Sequence, residues 1–265
     1  MTPPLRFEVV TWPVPDLRDR LATQDAGVLT AYLGGDELDV ASAVQLLDRD
    51  ERQRYDEYAN VTVARRFAVG RSILRAVLGL ITDVAPVDVA LQVGVHGKPK
   101  LAASAGAEPL WFSSAHSEEL YVVAVSSVGD VGVDIERHRA IEQWERVADR
   151  VLDAAERSDL AVAVAHGEEP GQAFLRHWCR VEAELKAVGS GIAGLEAHRA
   201  GQRPSGLRLA ECDVGTPPGG MEGEAPRYQL AVALCSPSRG SEFQMNLASA
   251  QAPTPVNSPA TASIA

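Results

Sequence analysis

The segment Gly132-Val133-Asp134-Ile135-Glu136 alternates small or apolar residues with acids. In a strand, that alternation sends Val133 and Ile135 to one face and Asp134 and Glu136 to the other, about 7 Å apart along the chain. Two carboxylates so placed can share a hard divalent cation, and magnesium is the usual choice where phosphate oxygens complete its shell. Taken alone, the pattern also fits two acids on a solvated strand face. A second set is Trp178, Glu182 and Lys186, spaced by four so that a helix stacks them along one side. One ligand could meet all three, although an amphipathic helix with a surface Glu–Lys pair contributing about 0.2–0.5 kcal/mol fits the spacing as well. The two sets gain meaning together if a cation links three acids and Lys186 to a diphosphate.

An anion of that kind needs local positive charge, because the chain as a whole carries a formal net charge of -11. Its 25 basic residues are nearly all arginine, and the lysines are Lys98, Lys100 and Lys186. Where arginine is the default cation, a lysine supplies a compact point charge. Lys98 and Pro99 sit in Gly97-Lys98-Pro99-Lys100, a loop whose glycine and proline would hold a presented cation in place. His116 follows a short strand in Phe112-Ser-Ser-Ala-His116-Ser117, where an imidazole can donate to a phosphate. Arg65, Arg66, Arg71 and Arg75 belong to one helical segment and form either a stripe for an anion or a solvated face.

The elements that would position these groups are expected as follows. Strands fall at residues 7–10 and 27–33, with a helix capped at Ser42 running through Leu47. Residues 48–79 read as helical, with Phe67, Leu74, Val77 and Leu78 on one apolar face. A short strand at 89–93 leads into the Gly97-Lys98-Pro99 loop, and residues 102–109 connect to the next set. Strands at 120–126 and 131–136, joined by a turn at Gly129-Asp130, suggest an antiparallel hairpin. Helices follow at 141–165 and 172–188, then strands at 207–213 and 228–235 with a loop between them. Leu47-Asp48…Glu51-Arg52 is echoed by Leu152-Asp153…Glu156-Arg157, which hints at two related halves.

Composition narrows the function class. At 265 residues with 46% hydrophobic content, the chain can bury a large core. Its acidity, with a pI near 5.0, argues against nucleic-acid binding. No basic leader with an apolar run and no bilayer-length apolar stretch is visible, so a cytoplasmic location away from membranes is expected. Cys179, Cys212 and Cys235 lack paired spacing and read as reduced thiols.

Taken in order, Arg65-Arg66-Phe67…Arg71, Gly97-Lys98-Pro99, His116-Ser117, Gly132-Val-Asp134-Ile-Glu136 and Trp178-Cys-Arg-Val-Glu182-Ala-Glu-Leu-Lys186-Ala-Val-Gly189 resemble the Sfp-type 4′-phosphopantetheinyl transferases over residues 40–190. The resemblance implies an α+β fold of two pseudosymmetric α/β halves with the active site in the cleft between them. The halves would be residues 1–105 and 106–236, the second carrying the metal-site motifs, followed by a disordered tail at 237–265. The implied activity is magnesium-dependent transfer of 4′-phosphopantetheine from coenzyme A to a serine of an acyl, peptidyl or aryl carrier protein, by a monomer. Polyketide or nonribosomal peptide biosynthesis is the implied setting. Asp134, Glu136 and Glu182 would ligate magnesium; Lys186 and Lys98 would contact coenzyme A phosphates, with Pro99 beside them; His116, Arg71 and Arg65 would hold its phosphate-bearing end. Glu182, or a metal-bound water oriented by it, would accept the serine proton, with Lys186 as its catalytic companion. Two departures stand out: Val181 and Ala115 occupy positions where the family usually carries Lys and Ser. They raise the alternative of a coenzyme A-binding member without transfer, and a structural acidic domain needing neither ligand is a third reading.

Overall fold

The computed structural model describes residues 5–13, 17–19, 24–34, 39–102, 109–215 and 226–235. The expected tail at 237–265 lies outside them, as do most of the connector at 102–109 and of the loop between the two late strands.

The first half opens with strands β1 (Phe7–Thr11) and β2 (Ala26–Tyr32), helices α1 (Val40–Gln45), α2 (Arg49–Glu57) and α3 (Val61–Thr82), and a small hairpin of β3 (Leu91–Val93) and β4 (Pro99–Leu101). Strands β5 (Trp111–Ser117), β6 (Leu120–Ser126) and β7 (Asp130–Arg137) come next. Helices α4 (Trp144–Val151), α5 (Ala154–Ala165), α6 (Pro170–Val188) and α7 (Leu195–Arg199) lead to β8 (Leu207–Gly215) and β9 (Arg227–Cys235).

Two principal sheets result, in the orders β1-β2-β6-β5 and β7-β9-β8. The sheet boundary falls between β6 and β7. Strands β5 and β6 thus complete the sheet of the N-terminal strands, although they follow residue 105 in the chain. The first sheet turns Leu29, Ala31, Val123 and Val125 toward Val69, Ile73, Val77 and Leu78 of α3. Its other face, with Val28, Leu120, Val122 and Ala124, packs on Val131, Val133, Ile135, Leu230, Val232 and Leu234 of the second sheet. Helix α6 covers the outside of that second sheet. Each long helix therefore flanks one sheet of a central pair, which is the mixed α+β, two-half architecture expected.

The expected hairpin between β6 and β7 does not form. β6 pairs with β2 and β5, whereas β7 pairs with β9. Both edges of β6 are taken by β2 and β5, so β7 meets it face to face instead, packing Val131, Val133 and Ile135 on Leu120, Val122 and Ala124. The two long helical predictions are each broken by a cap. Asn60 caps α3 and divides it from α2. Asp153 divides α4 from α5. Asp39, not Ser42, caps α1.

The echo seen in the sequence is structural. Asp48 and Glu51 form a capping box on α2, and Asp153 and Glu156 form one on α5. Arg52 Nε donates to the Leu47 carbonyl at 3.0 Å, and Arg157 Nη1 donates to the Leu152 carbonyl at 2.8 Å. An arginine closes each box: the buried Arg75 pairs with Asp48 and Glu51, and Arg203 pairs with Asp153 and Glu156. In the second half Glu184 of α6 joins Arg203, and the buried His198 donates from both ring nitrogens, to Glu184 at 3.2 Å and Glu156 at 2.9 Å.

Burial opposes charge on His198, but the hydrogen bonds and charges of Glu156 and Glu184 outweigh it and raise its pKa to about 9. A group with a folded pKa above its unfolded one stabilises fully below the unfolded value, about 6.5, and loses that contribution as pH rises through about 9. Urea unfolding between pH 6 and 10 is expected to show this loss in the wild type, with a shallower decline in His198→Gln, which cannot titrate.

Candidate active site

The local sequence of α6 and β7 explains how their functional groups meet. Cys179, Ala183 and Ala187 recur along one stripe of α6 and pack on Ala231 and Ala233 of β9. Gly132 of β7 lies under the same stripe. A Cβ placed on Gly132 would stand 1.9 Å from the Ala183 carbonyl oxygen and 2.3 Å from the Ala187 nitrogen. Only glycine permits this approach. Gly189 then ends the helix with φ 75°, accepted without strain by a residue lacking Cβ. The small residues thus bring α6 close enough for short reaches between its polar side chains and those of β7.

Lys186 Nζ donates to Asp134 Oδ1 at 2.6 Å and lies 3.8 Å from Glu182. Asp134 is only 6% exposed, which excludes the solvated-face reading. Its second oxygen, Oδ2, is buried and lacks a hydrogen-bond partner among the described residues. Glu136, two residues on, has its pKa raised to about 7, first by burial and then by the Asp134 charge. Burial also pushes Glu182 up, against the pull of Lys186. Lys186 itself stays charged: burial works against it, but Asp134 and Glu182 raise its pKa. The Cys179 thiol beside them is driven well up by burial and by Asp134 and Glu136.

These hard oxygen donors suit a magnesium-sized cation, and an unpartnered buried carboxylate oxygen is the kind of group one would satisfy. Among the described residues, no three acidic, histidine or cysteine groups already stand as a closed coordination set. The Lys186 ammonium instead occupies the space between Asp134 and Glu182.

The remaining candidates divide. His116 lies within electrostatic reach of Lys186 and Asp134, and burial, then Arg66 and Lys186, lower its pKa. Arg66, paired with Glu119, is the helical arginine whose charge acts on His116. Arg71 is drawn elsewhere: it pairs with Glu51 at 3.2 Å and lies over the Phe67 ring. Arg65 donates to the Leu33 carbonyl. Lys98 and Pro99 line a cavity of about 380 Å³ with Lys100, Trp111, Asp130 and Gly189, one helical turn beyond Lys186. Lys98 donates to the Val131 carbonyl at 3.0 Å, and burial lowers its pKa despite Asp130. Trp178 leaves the expected constellation and packs in the core with Phe174 and Leu185.

Ser117 and Arg139 are contacts that the residue types alone did not single out. The Ser117 hydroxyl donates to Glu136 at 3.4 Å, and Arg139 lies 3.8 Å from the same carboxylate. The signal in the sequence was position only: Ser117 follows His116, and Arg139 follows Glu136 by three. Val181 is fully buried in the cluster with Phe174, Leu185 and Leu160, so its own side chain faces the core. Ala115 packs against the apolar cluster shared by the two sheets. Among the described residues, no helix is long and apolar enough to cross a membrane.

The family model of the 4′-phosphopantetheinyl transferase superfamily matches residues 130–220, the span holding β7 and α6. The chain belongs to that superfamily and to its class of transferase enzymes. It is similar to the 4′-phosphopantetheinyl transferase HetI of Nostoc sp., at 33% identity over 192 residues, covering 72% of this chain and 73% of HetI. It is also similar to AcpT of Salmonella typhimurium, 34% identical over 148 residues, covering 55% of this chain and 66% of the relative. AcpT of Escherichia coli K12 is 27% identical over 173 residues, covering 65% and 75%.

Gly132→Ala tests the close approach directly. Backbone atoms of α6 would have to move away, so a loss of at least about 3 kcal/mol is expected in denaturant unfolding. A variant as stable as the wild type would show that the helix does not lean on this strand.

Proposed function

We propose that this enzyme transfers the 4′-phosphopantetheine arm of coenzyme A to a serine of an acyl or peptidyl carrier protein, with magnesium, releasing adenosine 3′,5′-bisphosphate. The observation that carries the reading is the buried Asp134 carboxylate, held by Lys186 beside Glu136 and Glu182. Superfamily membership and the names of the relatives support it.

The charges in the cleft account for the need of a cation. Three carboxylates face one ammonium, and a diphosphate brought among them meets like charge. Asp134, Glu136 and Glu182 are the groups that would hold magnesium, which when bound would neutralise negative charge on the phosphate oxygens. Lys186 would contact the same diphosphate from the helix side. Lys98 and Pro99, in the cavity one turn further along α6, would meet the nucleotide end, while His116 and Arg66 would donate on the side of Lys186 and Asp134. Displacement at phosphorus depends mainly on positioning and charge, and both are supplied by a helix and a strand in direct contact.

In the transfer, the serine oxygen of the carrier bonds to the β-phosphorus of coenzyme A. The bond from that phosphorus to the bridging oxygen breaks, and the electron pair leaves with adenosine 3′,5′-bisphosphate. Glu182 is the proposed acceptor of the serine proton, a role suited by the upward push that burial gives its carboxyl.

Incubation of apo carrier protein with labelled coenzyme A and magnesium tests the reading. Labelled carrier is expected with the wild type, and Asp134→Ala or Glu182→Ala is expected to lower turnover at least about 100-fold while the protein still melts cooperatively. Lys186→Ala is expected to weaken coenzyme A binding in calorimetric titration about tenfold or more. Full turnover in the acid variants would remove these residues from the reaction.

A further inference from the structure

β7 has two hydrogen-bonding edges, and among the described residues only one belongs to a backbone ladder. Immediately after β7, His138 N donates to the Arg227 carbonyl at 2.9 Å. In the antiparallel register with β9, the amides of Glu136, Asp134 and Gly132 point the same way, toward β9. The amides of Val133, Ile135 and Arg137 therefore point the other way, toward β5. That strand answers with side chains. Ser113 Oγ accepts from Val133 N at 3.2 Å, and Ser117 Oγ accepts from Arg137 N at 3.0 Å. Between them, the same face of β5 presents Ala115, which packs in the cluster that contains Ile135. Alternation on both strands places Ala115 opposite the Ile135 amide, and alanine has no atom to accept from it.

We propose that Ser113 and Ser117 are positioning residues for the acidic strand: their hydroxyls pin the free amide edge of β7 on either side of Asp134, while Ala115 leaves the Ile135 rung between them unmade. Ser117 acts twice, since it accepts from the Arg137 amide and donates to Glu136. It thereby couples the main chain of β7 to the direction of an acid. The functional half of this inference rests on the transferase reading above; the structural half does not.

Ala115→Ser tests the geometry by the sign of its effect. A hydroxyl that meets an unpaired buried amide gains a hydrogen bond, whereas one buried with no partner costs stability. The melting temperature is expected to rise by about 2–4 °C. A fall would mean that the Ile135 amide does not face position 115, and would overturn the proposal. Ser117→Ala tests the positioning role: kcat for carrier modification is expected to fall about tenfold, with KM for coenzyme A changed less than about twofold. Ser117→Thr keeps the hydroxyl and is expected to recover kcat. Unchanged kcat in Ser117→Ala, or no recovery in Ser117→Thr, would overturn the positioning role. Absence of transfer by the wild type would instead strike the transferase reading, and the melting experiment would then decide the structural claim alone.

Discussion

Helix α6 and strand β7 touch through their backbones, with no side chain between Gly132 and the peptide groups of Ala183 and Ala187. That contact fixes the distance across which Lys186 reaches Asp134 and places Glu182 on the same side. A lysine ammonium and a carboxylate at 2.6 Å in a buried setting hold one another firmly, because few water molecules compete. The charged groups therefore depend on a stripe of small residues along one side of α6. Cys179, Ala183 and Ala187 carry no chemistry of their own in this arrangement, yet their size sets the spacing of the groups that do.

The cleft holds its acids under electrostatic tension. Glu136 and Glu182 are both pushed toward the neutral form by burial, and Asp134 adds to the push on each. A folded protein tolerates this where the charges serve a ligand, and a cluster of perturbed carboxyls around one lysine is the pattern of a binding site more than of a structural ion pair. The second half of the molecule offers a contrast. Around His198 and Arg203, the acids Asp153, Glu156 and Glu184 each have a hydrogen-bonded cation, and the network is closed.

The acids and the lysine of the site were legible because their types and spacing are chemical: a strand alternation and an i,i+4 pair depend on local geometry alone. The long helix α6 was visible for the same reason, and so was its glycine stop. What failed was whatever depended on a partner distant in the chain. β7 was paired with its neighbour β6 because a short turn separates them, but its true partner, β9, begins ninety residues after β7 ends. Trp178 has the spacing of a site residue, and only the packing of α4 and α5 against α6 reveals it as core. Arg71 and Arg66 both lie on α3, yet they meet different acids. Those acids, Glu51 and Glu119, come from other elements, one capping another helix and the other following β5, so neither pairing could be read from α3 alone. The faint repeat at Leu47 and Leu152 carried more than its letters suggested, because a capping box with a closing arginine is one compact unit.

The order β7-β9-β8 puts the last described strand in the middle of its sheet. During synthesis, residues 130–215 leave the ribosome with β7 and β8 separated by a gap that only residues 227–235 can fill. The N-terminal sheet has all four of its strands by Ser126 and can assemble much earlier. The acid-bearing strand thus waits, with one edge open, for the nascent chain to deliver its partner, and its sheet matures after the one that supports it.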